Sequence, residues 1–168
     1  MIIYEEIFRE FKRKKVNYVI VGGIALNLLG SMRNTADLDI LAEMTDDNLR
    51  KIVQILKKFG YLVKIPVDPI GIADEKTRRE WITKKHMRAL NFYRSDSFEQ
   101  VDIIIASPVS YEMARDRALE IKANKFILPV ISIDHLIKMK KAADRDVDRM
   151  DIIELQYLKR LRQKGQHV

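Results

Sequence analysis

Residues 17–42 read NYVIVGGIALNLLGSMRNTADLDILA, and the interpretation of the whole chain starts from this stretch. The run YVIV at residues 18–21 is short, β-branched and aromatic, which predicts a buried strand. Gly22-Gly23 ends this run, and the apolar residues 24–29 that follow predict a short helix. The glycines allow a sharp turn and leave N–H groups at a helix N-terminus, where an anion is favoured. Either the turn binds an anion or it only connects the two elements.

Two aspartates lie two residues apart on the next apolar run. Side chains alternate between the faces of a strand, so Asp37 and Asp39 share one face, roughly 7 Å apart at their Cα atoms. Leu38 and Ile40 share the other face. Two carboxylates at this spacing suit Mg²⁺, which is usually held by one or two carboxylates together with substrate phosphates. The alternative is an edge strand with an acidic, solvent-facing side, but the preceding glycine turn favours the metal site.

A third acid, Asp102, lies in the apolar run VDIII at residues 101–105. A run that is apolar on both faces predicts a strand that is covered on both sides. Because burying an unpaired carboxylate is costly, an acid in such a strand must be paired, protonated or bound to a metal ion. The alternative places Asp102 at the start of the strand, facing solvent near Ser97 and Glu99.

The composition excludes several classes of site. The chain has 168 residues, 47% of them apolar and 33% charged, and it contains no cysteine, so disulfides and thiolate metal sites are excluded. No apolar run approaches the roughly 20 residues of a membrane span, and we expect a cytoplasmic protein with no membrane partner. Neither a P-loop nor a dinucleotide motif is present, and the three histidines are far apart. The net charge of +7 is compatible with an anionic partner or with a solvated, lysine-rich surface.

Periodicity predicts an α/β fold, in which a small mixed β-sheet is flanked by helices and followed by a helical C-terminal segment. We expect one domain over residues 1–168, with a core at 1–133 that contains an insert-like region at 61–99, and C-terminal helices at 134–168. Beyond the opening stretch, helices are predicted at residues 3–14, 45–59, 74–85, 111–119, from 135 onward and at 153–161, and strands at residues 61–66, 88–94, 101–105 and 127–133.

In combination these residues resemble a known family. Gly22-Gly23, Gly30, Arg33, Thr35 and Asp37-Leu38-Asp39-Ile40 are similar to the active-site signature of the DNA polymerase beta-like nucleotidyltransferase superfamily. The resemblance is to the small, minimal branch, which includes AbiE-type toxin nucleotidyltransferases and kanamycin nucleotidyltransferase, and it extends over most of the chain. It implies that the catalytic and metal-binding residues are Asp37, Asp39 and Asp102.

The same resemblance implies a metal and a set of nucleotide contacts. Two Mg²⁺ ions, or Mn²⁺ in their place, would lie about 3.5–4 Å apart between the three carboxylates. Gly22 and Gly23 would hold the β and γ phosphates of ATP or another NTP through their N–H groups. Thr35 would supply a hydroxyl and Arg33 a guanidinium to the phosphates. The family often has serine where this chain has Gly23.

A second group of residues near the C-terminus resembles the C-terminal motif of the AbiE-type enzymes, in which a lysine and a downstream aspartate approach the nucleotide. By this resemblance Lys140 binds phosphate, and Asp148 positions it or serves as a base. Asp144 stands where the family usually has a glycine before the arginine. The alternative is a pair of amphipathic helices whose charges are solvated.

The function that the resemblance implies is transfer of a nucleoside monophosphate from an NTP to a hydroxyl-type acceptor, with release of pyrophosphate. The acceptor is RNA, a protein or a small molecule. Two alternatives from other classes remain open at this point. One is a non-catalytic module that binds a nucleotide or RNA, and the other is an interaction protein of the toxin–antitoxin type. In that case the C-terminal helices would contact a partner protein or a second copy of the chain.

Overall fold

The computed structural model describes residues 3–165. Its seven strands are β1 Tyr18–Val21, β2 Asp37–Ala42, β3 Leu62–Val63, β4 Ala89–Tyr93, β5 Gln100–Ile104, β6 Leu119–Ala123 and β7 Phe126–Val130. Its seven α-helices are α1 Glu5–Arg13, α2 Gly22–Leu28, α3 Asp46–Lys58, α4 Glu75–Lys84, α5 Tyr111–Asp116, α6 Ile133–Ala143 and α7 Asp146–Gln163. A short 3₁₀ helix, Pro69–Ala73, precedes α4.

The strands form one mixed sheet in the order β3-β4-β5-β2-β1-β7-β6. Strand β2 runs parallel to β5 and β1 runs parallel to β7, whereas the other neighbouring pairs are antiparallel. All four residues of β1 are buried, because this strand lies inside the sheet and is covered on both faces. The α/β class and the mixed sheet predicted from the sequence are confirmed. Across residues 3–165, no helix has both the length and the apolarity that crossing a membrane requires.

The helices around the sheet begin and end where capping rules place them. In α3 the Asn48 N–H donates to the Thr45 hydroxyl, acidic residues occupy the first turn, and lysines occupy the last. Gly60, with a φ of +80°, lies just beyond the helix, in the left-handed region that favours glycine. The predicted helix at residues 45–59 is therefore confirmed to within a residue at each end.

Three elements near the sheet edges differ from the sequence-based predictions. The predicted helix at residues 111–119 ends at Asp116, and Leu119–Ala123 forms the edge strand β6 instead. A tight turn that contains Asn124, with a φ of +53°, joins β6 to β7 in a hairpin. In β6, charged residues alternate with apolar ones, and this period of two is typical of a strand. The sequence-based prediction did not use this alternation. The predicted strand at residues 61–66 is reduced to the two residues of β3.

The N-terminal segment ties together the two strands that carry the predicted acids. The buried Tyr4 hydroxyl accepts a hydrogen bond from the Gln100 N–H at 3.0 Å, and it reaches the carbonyl oxygens of Ala36 and Gln100. Gln100 begins β5, and Ala36 immediately precedes β2. Burial raises the pKa of Tyr4 to about 12, so the hydroxyl is neutral at ordinary pH. The Tyr4 side chain therefore joins the first residue of β5 to the residue before β2 through hydrogen bonds.

We expect Tyr4→Phe to lower the free energy of unfolding by about 1–3 kcal/mol, because it leaves buried backbone groups without a partner. Urea denaturation would measure the loss. Tyr157→Phe serves as the control, since the Tyr157 side chain is 53% exposed. Equal stability of the Tyr4→Phe variant and the wild type would contradict the structural role assigned to this hydroxyl.

Candidate active site

The sheet register brings two of the three predicted acids side by side. Asp39 on β2 lies directly opposite Asp102 on the parallel strand β5, and opposite residues of paired strands point to the same face. Val101 and Ile103 alternate with Asp102 and are buried in the core. Asp102 is half-buried and faces a cleft. The prediction that this strand is covered on both sides is therefore wrong for the face that carries Asp102.

The glycine turn contacts Asp39 directly. Gly22 has a φ of +67°, a conformation that residues with side chains rarely adopt. A Cβ atom at this position would lie 2.0 Å from the Asp39 Oδ2 atom, so glycine is the residue that lets the turn approach the carboxylate. At Gly23 a Cβ atom would lie 2.6 Å from the Thr35 hydroxyl. Thr35 thus occupies the space that a serine at position 23 would need.

A cleft of about 280 Å³ lies between the ends of the central strands and the two C-terminal helices. Its polar lining combines residues from the glycine turn, from the two strands and from the helices: Gly22, Asp39, Asp102, Lys140, Arg145 and Asp148. The remaining wall is mainly apolar and includes Ile104, Leu136 and Met139. The structure thus brings together residues that are up to 127 positions apart in the sequence, since Val21 and Asp148 line the same cleft.

Three charged or hydroxyl-bearing residues of the cleft are not among the site residues predicted from the sequence, namely Arg88, Ser107 and Arg145. Arg88 immediately precedes β4, and Ser107 follows β5. Both lie just outside a strand at the edge of the sheet where Asp102 faces the cleft. Their positions beside predicted strands were a usable signal, because functional residues are often found on the loops that follow or precede strands.

Lys140 belongs to a buried network of ion pairs at one side of the cleft. Its Nζ atom lies 2.7 Å from the Asp151 Oδ2 atom and 3.4 Å from the Asp148 Oδ1 atom. All three side chains are buried. The Arg145 Nε atom lies 2.7 Å from the Asp148 Oδ2 atom, and the Arg33 guanidinium pairs with Asp151. The network joins the loop after α2 to helices α6 and α7.

Asp144 lies between these two helices, at the position where the resembled family usually has glycine. Its φ of +49° and ψ of +34° are left-handed, so Asp144 adopts the conformation that a glycine would adopt there. Aspartate is one of the few residues with a side chain that tolerate this region. The departure from the family pattern therefore does not prevent the turn between α6 and α7.

Four of the predicted site residues do not line the cleft: Gly23, Arg33, Thr35 and Asp37. Asp37 lies on the same face of β2, two residues before Asp39, and is opposite Gln100. In the part of the chain that the structure describes, no three acidic or histidine side chains come close enough together to hold a metal ion. The structure thus brings Asp39 and Asp102 together, and it does not gather all three predicted carboxylates into one cluster. Their metal binding remains a prediction.

The environment of the two acids disfavours their negative charge. Burial, followed by the charges of Asp102 and Asp37, raises the pKa of Asp39 to about 7, against the opposing effect of Lys140 and Arg145. Burial also raises the pKa of Asp102, and the neighbouring Asn91 side chain opposes that change. Carboxylates that are hard to charge beside one another are stabilised by a cation between them.

The donor set fits a divalent cation. The Asp102 Oδ1 atom is buried and has no hydrogen-bond partner within residues 3–165, so it can accept a ligand. Two neighbouring carboxylates are enough for Mg²⁺, which completes its coordination with water and substrate phosphates. Asp39 and Asp102 therefore suit a magnesium ion that arrives with a nucleotide.

By contrast with Asp39, Asp148 has a lowered pKa. Burial alone would raise the pKa of Asp148, but hydrogen bonds from the Arg145 side chain and backbone, together with the charge of Lys140, outweigh it. Asp148 is therefore ionised at neutral pH and paired with cations. This charge state suits a residue that orients Lys140 and Arg145, and it does not suit a general base, which needs a pKa near the working pH.

In the presence of a chelator, we expect the folded state to be less stable at pH 8 than at pH 5, because the buried Asp39 carboxyl must lose its proton over this range. Its pKa is about 7 when folded and near 3.8 when unfolded, so the folded state holds the extra proton between these values. Stability must then fall as pH rises through the folded pKa, by at most about 2.7 kcal/mol between pH 5 and pH 8. Urea denaturation at both pH values would measure the difference. The Asp39→Asn variant should show a smaller loss, and an equal loss in both proteins would contradict the assignment.

Comparisons with known proteins identify the family and a similar fold. A family described as nucleotidyltransferase of unknown function (DUF6036) matches residues 1–163. Among solved structures, the lincosamide antibiotic adenylyltransferase LnuA bound to lincomycin has a similar fold, with a TM-score of 0.62 and 18% sequence identity. The similarity covers 90% of this chain and 93% of that one. No curated protein sequence matches the chain significantly. Because the family match spans almost the whole chain, the protein belongs to this family and is a nucleotidyltransferase.

Proposed function

We propose that the protein transfers a nucleoside monophosphate from an NTP to a hydroxyl-bearing acceptor in the cleft at Asp39 and Asp102, in a reaction that depends on Mg²⁺. The observation that carries the proposal is the direct pairing of Asp39 and Asp102 beside the Gly22 turn. The cleft also receives the side chains of Lys140 and Arg145, which supply positive charge.

The charged residues at the centre of the cleft divide into metal ligands and phosphate-binding cations in this proposal. Asp39 and Asp102, with Asp37 beside them, would hold Mg²⁺, which neutralises phosphate charge and lowers the pKa of the attacking hydroxyl. Lys140 and Arg145 attract the triphosphate into the cleft and offset its charge. Nucleotidyl transfer needs mainly positioning and charge neutralisation, so the protein needs no covalent intermediate.

Gly22-Gly23 would contribute in a different way. Because the Gly22 backbone lies against the Asp39 carboxylate, a phosphate group held at the turn would lie next to a carboxylate that would hold the metal ion. Thr35 packs against Gly23 and would keep the turn in place or reach the phosphates with its hydroxyl. Arg33 pairs with Asp151, so a direct role in phosphate binding would require Arg33 to leave that partner.

The nucleotide and the class of acceptor follow from the fold neighbour as proposals. LnuA is an adenylyltransferase seen with a small antibiotic, so ATP is the first nucleotide to test and small hydroxyl compounds are the first acceptors. The apolar wall formed by Ile104, Leu136 and Met139 supports a small ligand, since pockets for small molecules are mostly apolar with a few polar groups.

The test is transfer of label from each of the four NTPs, labelled at the α-phosphate, with Mg²⁺ present. Acceptors would be offered as separate fractions of small molecules, RNA and protein. Formation of a labelled product together with pyrophosphate supports the proposal. NTP binding without transfer in any fraction would favour the alternative of a non-catalytic nucleotide-binding module.

A further inference from the structure

Helix α7 carries two apolar faces, and residues 3–165 cover only one of them. Leu155 and Leu158 pack into the core beside the buried Asp148 and Asp151. On another side of the same helix, Met150 is 67% exposed, Ile153 60% and Tyr157 53%. These three residues are spaced by three and four positions, so they form one stripe along the helix.

The exposed stripe borders a groove of about 600 Å³. Arg33, Glu154 and Arg160 also line it, so the groove combines apolar and charged groups. A contiguous exposed apolar patch with a polar rim is typical of an interaction surface. The identity of the partner follows from the arrangement of the charges.

The charges along the stripe are complementary to those of a second copy of the same helix in the antiparallel direction. Asp146 lies seven residues before Ile153, and Arg160 lies seven residues after it, so both are on nearly the same side of the helix as Ile153. Asp146 is fully exposed, and its contact with Arg149 is a surface pair at 3.5 Å. If two such helices cross antiparallel at Ile153, each Asp146 meets an Arg160 of the other helix.

We propose that α7 packs antiparallel against α7 of a second copy of this chain, around a two-fold axis at Ile153. Met150 lies three residues before the axis and Tyr157 lies four residues after it. In the antiparallel pair, Met150 of each copy therefore packs beside Tyr157 of the other. The same pairs form twice, as two-fold symmetry requires. The antiparallel arrangement also places the positive N-terminal end of each helix dipole beside the negative C-terminal end of the other.

Two other occupants fit the charges less well. A helix that lies on a membrane surface carries mainly lysine and arginine beside its apolar stripe, whereas Asp146 and Glu154 flank this one. An unrelated protein would need an acid and a base at matching positions by coincidence. A second copy supplies both charges in the required order through symmetry alone.

The test measures association of the full chain by sedimentation velocity at concentrations from about 1 to about 100 µM. We expect a dimer whose dissociation constant rises at least about tenfold in Met150→Glu, because the variant places a charge where a large apolar side chain is buried in each copy. Met113→Glu is the control: Met113 is 41% exposed on α5, and its replacement should leave the dimer unchanged.

Exchanging the two charges between positions 146 and 160 separates an effect on the dimer from an effect on folding, because the double variant should regain the contact that each single variant loses. Asp146→Arg alone and Arg160→Asp alone should each weaken the dimer about fivefold at low salt, and the double exchange should restore it. Circular dichroism would verify that α7 is retained in each variant. A monomer over the whole concentration range overturns the proposal, whether or not it binds vesicles or another protein. A dimer that is unaffected by Met150→Glu, or not restored by the charge exchange, also overturns it.

Discussion

Asp39→Asn is expected to abolish nucleotidyl transfer while leaving the protein folded. Asparagine retains one oxygen but loses the negative charge with which Asp39 would hold Mg²⁺. A metal ion contributes several kcal/mol to stabilising the charge of the transition state, and each 1.36 kcal/mol changes the rate tenfold. We therefore expect kcat to fall on the order of 10³-fold. The measurement is release of pyrophosphate with ATP and the best acceptor fraction.

The same substitution separates a functional role from a structural one. Because the environment already raises the pKa of Asp39 to about 7, a neutral side chain fits this position at least as well as a carboxylate. At pH 8 with a chelator, Asp39→Asn should unfold at an equal or higher urea concentration than the wild type. Asp116→Asn, at an exposed aspartate of α5, is the matched control and should change neither activity nor stability. A fully active Asp39→Asn variant would refute the proposed site.

The placement of the acids could be predicted because it depends on local rules. Alternation along a strand is enough to put Asp37 and Asp39 on one face. The short apolar runs around Asp39 and Asp102 are enough to make both segments strands of a buried sheet. That the acids of these two strands belong to one site came from the family resemblance. The register that pairs Asp39 with Asp102 is set by the packing of the whole sheet and is visible only in the structure.

The partners of the basic residues could not be predicted in this way. Arg33 and Asp151 are separated by 118 residues, and nothing in either local sequence specifies that they pair. The family resemblance assigned the Arg33 guanidinium to a phosphate, a group that arginine commonly binds. In the fold, the loop after α2 lies against α7, and the Arg33 guanidinium forms an ion pair with the buried Asp151 carboxylate. A residue type thus indicates what a side chain can bind, whereas tertiary packing decides what it contacts.

The ion-pair network explains why the C-terminal helices belong to the site. Lys140 is on α6, and its two carboxylate partners are on α7, so the helices hold the lysine between them at the edge of the cleft. Burial of three charged side chains is costly unless each is paired. The network therefore couples the packing of α6 on α7 to the position of a cation that would meet the triphosphate. A change at Asp151 should affect both properties.

Asp151→Ala is accordingly expected to destabilise the protein by about 3 kcal/mol, because it removes the carboxylate closest to the Lys140 ammonium. Lys140 is 5% exposed and would retain only Asp148, at 3.4 Å, as a partner, and Arg33 would lose its pair as well. Urea denaturation at pH 7 would measure the loss. The control is Asp134→Ala: the Asp134–Lys159 pair is about half exposed on both sides, so its removal should cost less than about 1 kcal/mol.

A second variant separates the charge effect from the loss of packing. In Lys140→Met/Asp151→Leu both members of the closest buried pair become apolar with similar size, and such replacements are often neutral or stabilising. We expect this double variant to recover most of the stability that Asp151→Ala loses and to remain defective in transfer, with a raised KM for the NTP. If its stability stays as low as that of Asp151→Ala, lost packing and not the unpaired lysine is responsible. Recovery of stability with wild-type KM would show that Lys140 has no part in binding the nucleotide, because the helices would then be intact and only the cation would be missing.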